Sequence, residues 1–337
     1  MSRAEGCPHR SCVIVGAGMA GLVAARELFS RGYLVTVVDK GRSPGGRMAT
    51  RAVDTPEGLQ AVFDHGAQFI TVRSERFAST VAEWVTSGRV RPWSRGFADS
   101  AGVVRPDGHT RYMVCGGMNA LARELAAPPL SVRLATQVTA ISWDGSWRVA
   151  LGTGDSLTAS ALILTSPVEQ SLAMLDAGAT MLPAQAREQL ERIAYDSCFS
   201  LLVELAGASA LPDPGAIQLG GEPLRWIADN HRKGISPEKH TATLHAGPAF
   251  TNRYWDAPHG VVANDMIAAA AQWLGTPVRR WSLHRWRYSQ PRVSHSEPYL
   301  RADTPAAVVF AGDAFGSMPH IEGAFLSGLA AAGAMDN

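Results

Sequence analysis

The feature that most constrains this 337-residue chain is the run Val13-Ile14-Val15-Gly16-Ala17-Gly18-Met19-Ala20-Gly21, followed at one helix's distance by Asp39. Residues 12–15 read as a short buried strand, Leu22 to Arg31 as a helix, and Tyr33 to Val38 as a second apolar strand ending in that acid. Strand, glycine turn, helix, strand and acid in this order form a dinucleotide-binding unit. Gly16 permits the tight turn, Gly18 lets the backbone approach a pyrophosphate, and Gly21 lets helix and strand pack closely. Met19 and Ala20 lie where the helix begins, and its N-terminal N–H groups and partial positive charge suit phosphate. Asp39 can accept hydrogen bonds from ribose hydroxyls, while its charge disfavours a 2′-phosphate; Lys40 follows as a further candidate contact. The unit predicts an adenine dinucleotide.

Only one GxGxxG occurs, so no second domain is dedicated to a nicotinamide cofactor. Any nicotinamide must therefore enter as a ligand. The chain length suits two intertwined lobes better than one core. Apolar residues make up 46% and charged residues 18%, with a formal net charge of +1, which gives no electrostatic case for nucleic acid or an anionic membrane. No run approaches the ~18 apolar residues of a membrane span. The first ten residues carry Arg3, Glu5, His9 and Arg10 and do not read as a secretory signal. Cys7, Cys12, Cys115 and Cys198 are scattered without metal-ligand or redox spacing, so no metal is expected and a reduced, cytoplasmic protein is.

Gly45-Gly46-Arg47, just past the acid, is more than a nicotinamide-binding unit needs. A later run, Ala307 to Ala311, reads as another buried strand and ends in Gly312-Asp313. That order puts a carboxylate at the carboxyl end of a parallel strand, where open α/β sheets hold ligands. Ile321-Glu322-Gly323-Ala324-Phe325-Leu326-Ser327-Gly328 then begins a helix rich in small residues, suited to packing on the first glycine unit. Asp313 has an alternative reading as an ordinary helix cap. Val132 to Ile141, Trp147 to Leu151 and Ala161 to Thr165 read as further strands, with Val138 either a cofactor contact or core. The insertions between supply a second lobe. Phe77, Val81, Trp84 and Val85 form a helical stripe of core residues, and helices are expected around Ala184–Ile193 and Val261–Leu274. Strands are expected at Phe199 to Glu204, Arg225 to Ala228 and Thr241 to His245.

These paired motifs resemble the FAD-dependent amine oxidases, in which a Gly-Gly-Arg passes the flavin diphosphate and a strand-Gly-Asp reaches the ribityl chain. The resemblance implies that Gly46, Arg47, Gly312, Asp313, Gly323 and Ala324 contact FAD, although Arg47 also reads as a surface ion-pair residue. Four peptides narrow it to the renalase family: Asp64-His65-Gly66-Ala67-Gln68-Phe69-Ile70-Thr71, Trp226-Ile227-Ala228-Asp229-Asn230, Leu244-His245-Ala246 and His284-Arg285-Trp286-Arg287-Tyr288-Ser289-Gln290. Phe69 stands where that family often has tyrosine, and Tyr288 where it can have histidine. The loop Ala314 to His320 is not a close match.

What the resemblance implies is an α/β fold: a Rossmann-type FAD-binding domain (1–73, 111–169 and 296–337) and a discontinuous α+β substrate domain (74–110 and 170–295) on an antiparallel or mixed sheet. The cavity would lie between them. The implied chemistry is oxidation of 2- or 6-dihydronicotinamide dinucleotides, with hydride passing to FAD and electrons then to O2. Such a transfer needs a ring stacked on the flavin at about 3–3.5 Å and little acid–base help. Gln68 and Phe69 are expected beside the flavin. His245, Asn230, Trp286 and Tyr288 are expected against the substrate, and Arg285 or Arg287 near a ligand phosphate or the flavin. His245 and Trp286 also read as core residues. An amine oxidase or desaturase of a specialised metabolite, and a non-catalytic flavin-binding module, remain as alternatives.

Overall fold

The computed structural model describes residues 10–335 except 105, 304 and 319, so Cys7, the first nine residues and Pro319 lie outside the described residues. The chain folds as two interleaved units: Met1–Gly46, Ala122–Ala194 and Pro291–Asn337 form one, Arg47–Leu121 and Tyr195–Gln290 the other. Residues 47–73 and 111–121, expected with the dinucleotide unit, pack instead in the second, and 170–194 and 291–295, expected in the substrate domain, pack in the first. The reason lies in pairing. Thr50–Asp54 forms a hairpin with Gln60–Asp64, and Ile70–Thr71 and Val90–Ser94 flank Arg111–Val114.

In the first unit the apolar runs become a six-stranded sheet in the order Leu300–Ala302, Val308–Phe310, Ala161–Leu164, Ser11–Val15, Leu34–Val38, Ser131–Arg133. All neighbours are parallel except the antiparallel edge strand Leu300–Ala302. Ile14, Val37, Leu162, Ile163, Val308 and Val309 are fully buried, as strands covered on both faces require. The run expected from Val132 to Ile141 is broken. Ala135 has φ +50°, and the chain from there forms a second strand, Val138–Trp143, in an antiparallel sheet with Trp147–Leu151 and Ser156–Ala159.

Helix Met19–Ser30 follows the glycine turn, and the C-terminal helix His320–Gly333 packs on it. The contact is close enough that a Cβ at Gly328 would collide with the Ala20 carbonyl oxygen.

The second unit is centred on a five-stranded sheet in the order Ala216–Gln218, Leu224–Asp229, Thr241–Ala246, Ala194–Leu205, Val278–Val293. The edge strand Val278–Val293 runs for 16 residues, and no strand is expected there from the sequence. Alternation gives the sheet two unlike faces. Phe199, Leu201, Val203, Ile227 and Leu244 form a core with Val262, Ala263, Met266 and Ala270 of helix His259–Leu274. Ser200, Trp226 and His245 form a cross-strand row on the opposite face. Helix Glu75–Thr86 begins at Ser74, whose hydroxyl accepts from the Phe77 N–H. It buries Phe77, Val81 and Trp84, but Val85, expected in that stripe, is exposed.

Among the described residues no helix is long and apolar enough to cross a membrane. Cys12, Cys115 and Cys198 are free thiols.

Candidate functional site

The dinucleotide site expected from the sequence fits the first unit. Gly16 and Gly21 are there for packing: a Cβ on Gly16 would strike Thr165 Oγ1, and one on Gly21 the Gly16 carbonyl. Gly18 differs. A Cβ there would meet nothing within 4 Å, and Gly18 is the extended N-cap of a helix with no side-chain cap. Open space beside uncapped N–H groups is the cradle a pyrophosphate needs. Met19 and Ala20 are buried in the first helical turn.

The loop carrying Gly46 closes on this turn. Gly45 N–H donates to the Ala17 carbonyl at 2.7 Å, and Gly46, at φ +54°, lies against Gly18 Cα. Half-buried Asp39 accepts from Ala17 N–H and Gly41 N–H, each at 2.6 Å, with one carboxylate oxygen apiece. Each oxygen keeps a lone pair for a ribose hydroxyl. Lys40 is exposed and donates to Gln170 Oε1 at 3.0 Å.

Gly312 N–H donates to Ser327 Oγ at 2.8 Å, which ties the third strand return to the C-terminal helix, with half-buried Asp313 next in the chain. Gly323 is required by packing, because a Cβ would strike the Met318 carbonyl; Ala324 follows it half-buried. Val138 is buried at the start of its strand, paired with Leu151.

The expected substrate residues lie in the second unit, and two of them, His245 and Trp286, converge on one backbone atom, the His65 carbonyl oxygen. It accepts from Trp286 Nε1 at 2.9 Å and from His245 Nε2 at 3.2 Å. A carbonyl only accepts, so the His245 proton sits on Nε2 and Nδ1 is an acceptor. The His65 ring stacks on Trp286, with centroids 5.4 Å apart and 22° between planes, and His284 meets both rings edge-on at 4.9 and 4.4 Å. Burial, reinforced by His284, Arg51 and His245, lowers His65 to about 3. Burial likewise takes His245 to about 4 and pushes His284 below its ordinary value. At neutral pH the cluster is an uncharged aromatic wall.

A buried ion pair holds this wall in place. Lys233 and Asp64, each without exposure, meet at 2.6 Å, and Lys233 Nζ also donates to the Gln68 carbonyl at 2.6 Å. The other Asp64 oxygen accepts from Thr50 Oγ1 at 2.6 Å and Met118 N–H at 2.8 Å. Gln68 Nε2 turns back to the carbonyls of Asp64 and Gly66. Both ends of the 64–68 segment, which carries His65, are thus fixed.

Several expected roles change. Asn230 has no exposed surface, and its amide bridges Thr243 Oγ1 and the Asp64 N–H at 3.1 and 3.4 Å. It supports the wall and cannot touch a substrate. Gln68 is likewise buried with its N–H groups tied to backbone, and Phe69 packs on Phe97 and Trp226. Arg285 and Arg287 project from the strand face opposite Trp286. Both lie over Trp255, and Arg285 donates to the Ala257 carbonyl at 3.0 Å. Neither reaches the histidine wall. Tyr288 does share the face of Trp286, edge-on to Tyr195 at 5.7 Å, with Arg47 over the Tyr195 ring. Arg47 belongs to this second unit and donates to the Ser289 carbonyl at 3.5 Å.

Sequence reasoning missed His65, His284, Lys233 and Arg51. The histidines stood in the quoted peptides, and alternation along 282–286 could have paired His284 with Trp286. Lys233 carries no signal in its local sequence.

The model of the family described as flavin containing amine oxidoreductase matches residues 96–336, and that of an NAD(P)-binding Rossmann-like domain matches 14–84. Renalase of Mus musculus is 27% identical over 301 residues, 85% of this chain and 86% of that protein. Lysine-specific histone demethylase 1 homolog 1 of Arabidopsis thaliana is 43% identical over 67 residues, so the chain spans only 8% of its length. Two solved structures share the fold at low identity. A putative protoporphyrinogen oxidase from Exiguobacterium sp. 255-15 has a TM-score of 0.73 at 14% identity, covering 98% of this chain and 99% of that one. Cyclohexylamine oxidase from Brevibacterium oxydans IH-35A has 0.71 at 15%, covering 97% and 99%. The chain therefore belongs to the flavin-containing amine oxidoreductase family and is an FAD-dependent oxidoreductase.

Proposed function

We propose that this enzyme oxidises the 2- and 6-dihydro isomers of NAD(P)H, releasing NAD(P)+, with electrons passing from FAD to O2 to give hydrogen peroxide. The observation that carries the reading is the uncharged wall of His65, His245, His284 and Trp286 fixed on the His65 carbonyl. FAD, when bound, supplies the two-electron acceptor. A dihydropyridine ring is neutral and planar and gives up hydride without first losing a proton, so the protein need only orient it. Trp286 is locked by its hydrogen bond and offers a rigid aromatic surface. His245 presents its Nδ1 lone pair to an amide N–H, such as a carboxamide supplies, and its depressed pKa keeps that lone pair available throughout the neutral range. The similarity to renalase over most of both chains supports the same reading.

Oxidation of an amine is the competing reading, and the family's description favours it. An amine arrives as a cation and must lose its proton before hydride leaves. The wall offers that cation no carboxylate, and its histidines are weak bases. The test is product analysis under air: the isomers should yield NAD(P)+ and hydrogen peroxide in equal amounts, and absence of both sinks the proposal.

A further inference from the structure

Arg51 is the one side chain beside the wall whose charge is fixed and, among the described residues, has no carboxylate partner. It lies on the hairpin strand Thr50–Asp54, where the register pairs Thr50 with Asp64 and Arg51 with Phe63. Alternation therefore puts Arg51 and His65 on the same hairpin face as diagonal neighbours, with Thr50 and Asp64 on the other. The facing strand completes the arrangement. Ser282 accepts from Arg51 Nη1 at 3.3 Å, and two and four residues on, His284 and Trp286 pack against His65. One guanidinium thus sits in register with the wall, one step along both strands.

The acids that could neutralise it are engaged elsewhere. Glu57 pairs with Lys239 at 2.9 Å, Glu204 with Arg280 at 3.0 Å, Asp64 with Lys233 on the opposite hairpin face, and Asp54, by alternation on that same opposite face, accepts from Gln60. The three histidines are neutral and supply no counter-charge. Arg51 is half-buried and donates to a neutral hydroxyl, so most of its donor fork is left for an anion. A guanidinium in this state matches a phosphate, which takes two parallel N–H donors.

Resting on the dihydronicotinamide reading, we propose that Arg51, with Ser282, is a binding site for the phosphates of the substrate's dinucleotide tail. The role expected of Arg285 or Arg287 thereby passes to a residue on the correct side of the strand. The site selects anionic substrates over cationic amines by charge as well as by shape.

The test uses the FAD-loaded protein, the Arg51→Gln and Arg51→Lys variants, and two readouts. The first is calorimetric binding of ADP-ribose, which carries the tail without the reacting ring. Arg51→Gln should weaken it about tenfold, and Arg51→Lys, which keeps the charge, by less. The second is the ratio of kcat/KM for an isomeric dihydronicotinamide dinucleotide to that for its phosphate-free riboside. That ratio should fall about tenfold in Arg51→Gln. Unchanged ADP-ribose binding together with an unchanged ratio overturns the proposal. If no dihydronicotinamide reduces the flavin yet ADP-ribose binds in an Arg51-dependent way, the anion site stands and the substrate reading falls. If ADP-ribose does not bind and no isomer reacts, both fall.

Discussion

The glycine cradle of the first unit and the histidine wall of the second, on the reading proposed for them, solve the same problem, presenting groups to a ligand, by opposite means. The cradle uses backbone. Its groups are N–H donors of one turn and one helix end, brought together within residues 16–46 by glycines that remove obstacles. The wall uses side chains from segments 221 residues apart, gathered on one carbonyl and held by an ion pair with no exposure. Backbone sites are specified locally and fail by obstruction. Side-chain sites are specified by tertiary structure and fail by losing a support.

The largest effect should come from breaking that support. Lys233→Met leaves Asp64 charged, buried and unpaired, and should cost about 3–5 kcal/mol of stability. The double variant Lys233→Met/Asp64→Asn should recover part of it, as measured by denaturant unfolding. Equal losses in the single and double variants would show that the pair is not what holds the segment.

Within the cradle, two glycines separate packing from binding. Gly21→Ala forces a Cβ onto the Gly16 carbonyl and should cost about 1–3 kcal/mol in the unfolding of the FAD-free protein. Gly18→Val has open space and should leave that unfolding near wild type while lowering flavin content per chain, read from visible absorbance. A Gly18→Val protein with full flavin would remove the cradle assignment.

Acid should discriminate the two regions as well. His65 and His245 have folded pKa values of about 3 and about 4, below the ordinary 6.5, so the unfolded state binds protons first. Stability is therefore undiminished above pH 6.5 and falls below it, by up to about 1.4 kcal/mol per pH unit for each histidine. The decline for His245 ends near pH 4 and for His65 near pH 3, where the native state protonates too. Unfolding titrations at pH 7, 6 and 5 read this, and replacing His65 by Phe should flatten the slope. The smallest effect is expected of Trp286→Phe, which removes one hydrogen bond to the His65 carbonyl and should cost about 0.5–1.5 kcal/mol while slowing flavin reduction.

The same contrast explains what could be read from the sequence. Gly16, Gly18, Gly21 and Asp39 were legible because a local turn dictates their identity and spacing. The strands around Ile14, Val37 and Ile163 were legible because burial on both faces makes them continuously apolar. Val85 was misplaced because a helical stripe one position too wide looks like core until the partner surface is known. Asn230 was assigned to the substrate because its peptide was recognisable, but a short sequence does not say that Thr243 and Asp64 will occupy its amide. Lys233 and Arg51 differ in partner, one neutralised by a distant carboxylate and the other not, and pairing of that kind exists only after folding.

The central claim is that the wall serves a neutral dihydropyridine. The direct measurement is anaerobic stopped-flow reduction of the bound flavin by 2- and 6-dihydro isomers of NAD(P)H and by a panel of primary and secondary amines. The account predicts rapid bleaching by the isomers, slowed in His245→Ala whose resting colour is intact, and no bleaching by the amines. Rapid bleaching by an amine with no response to the isomers would contradict it.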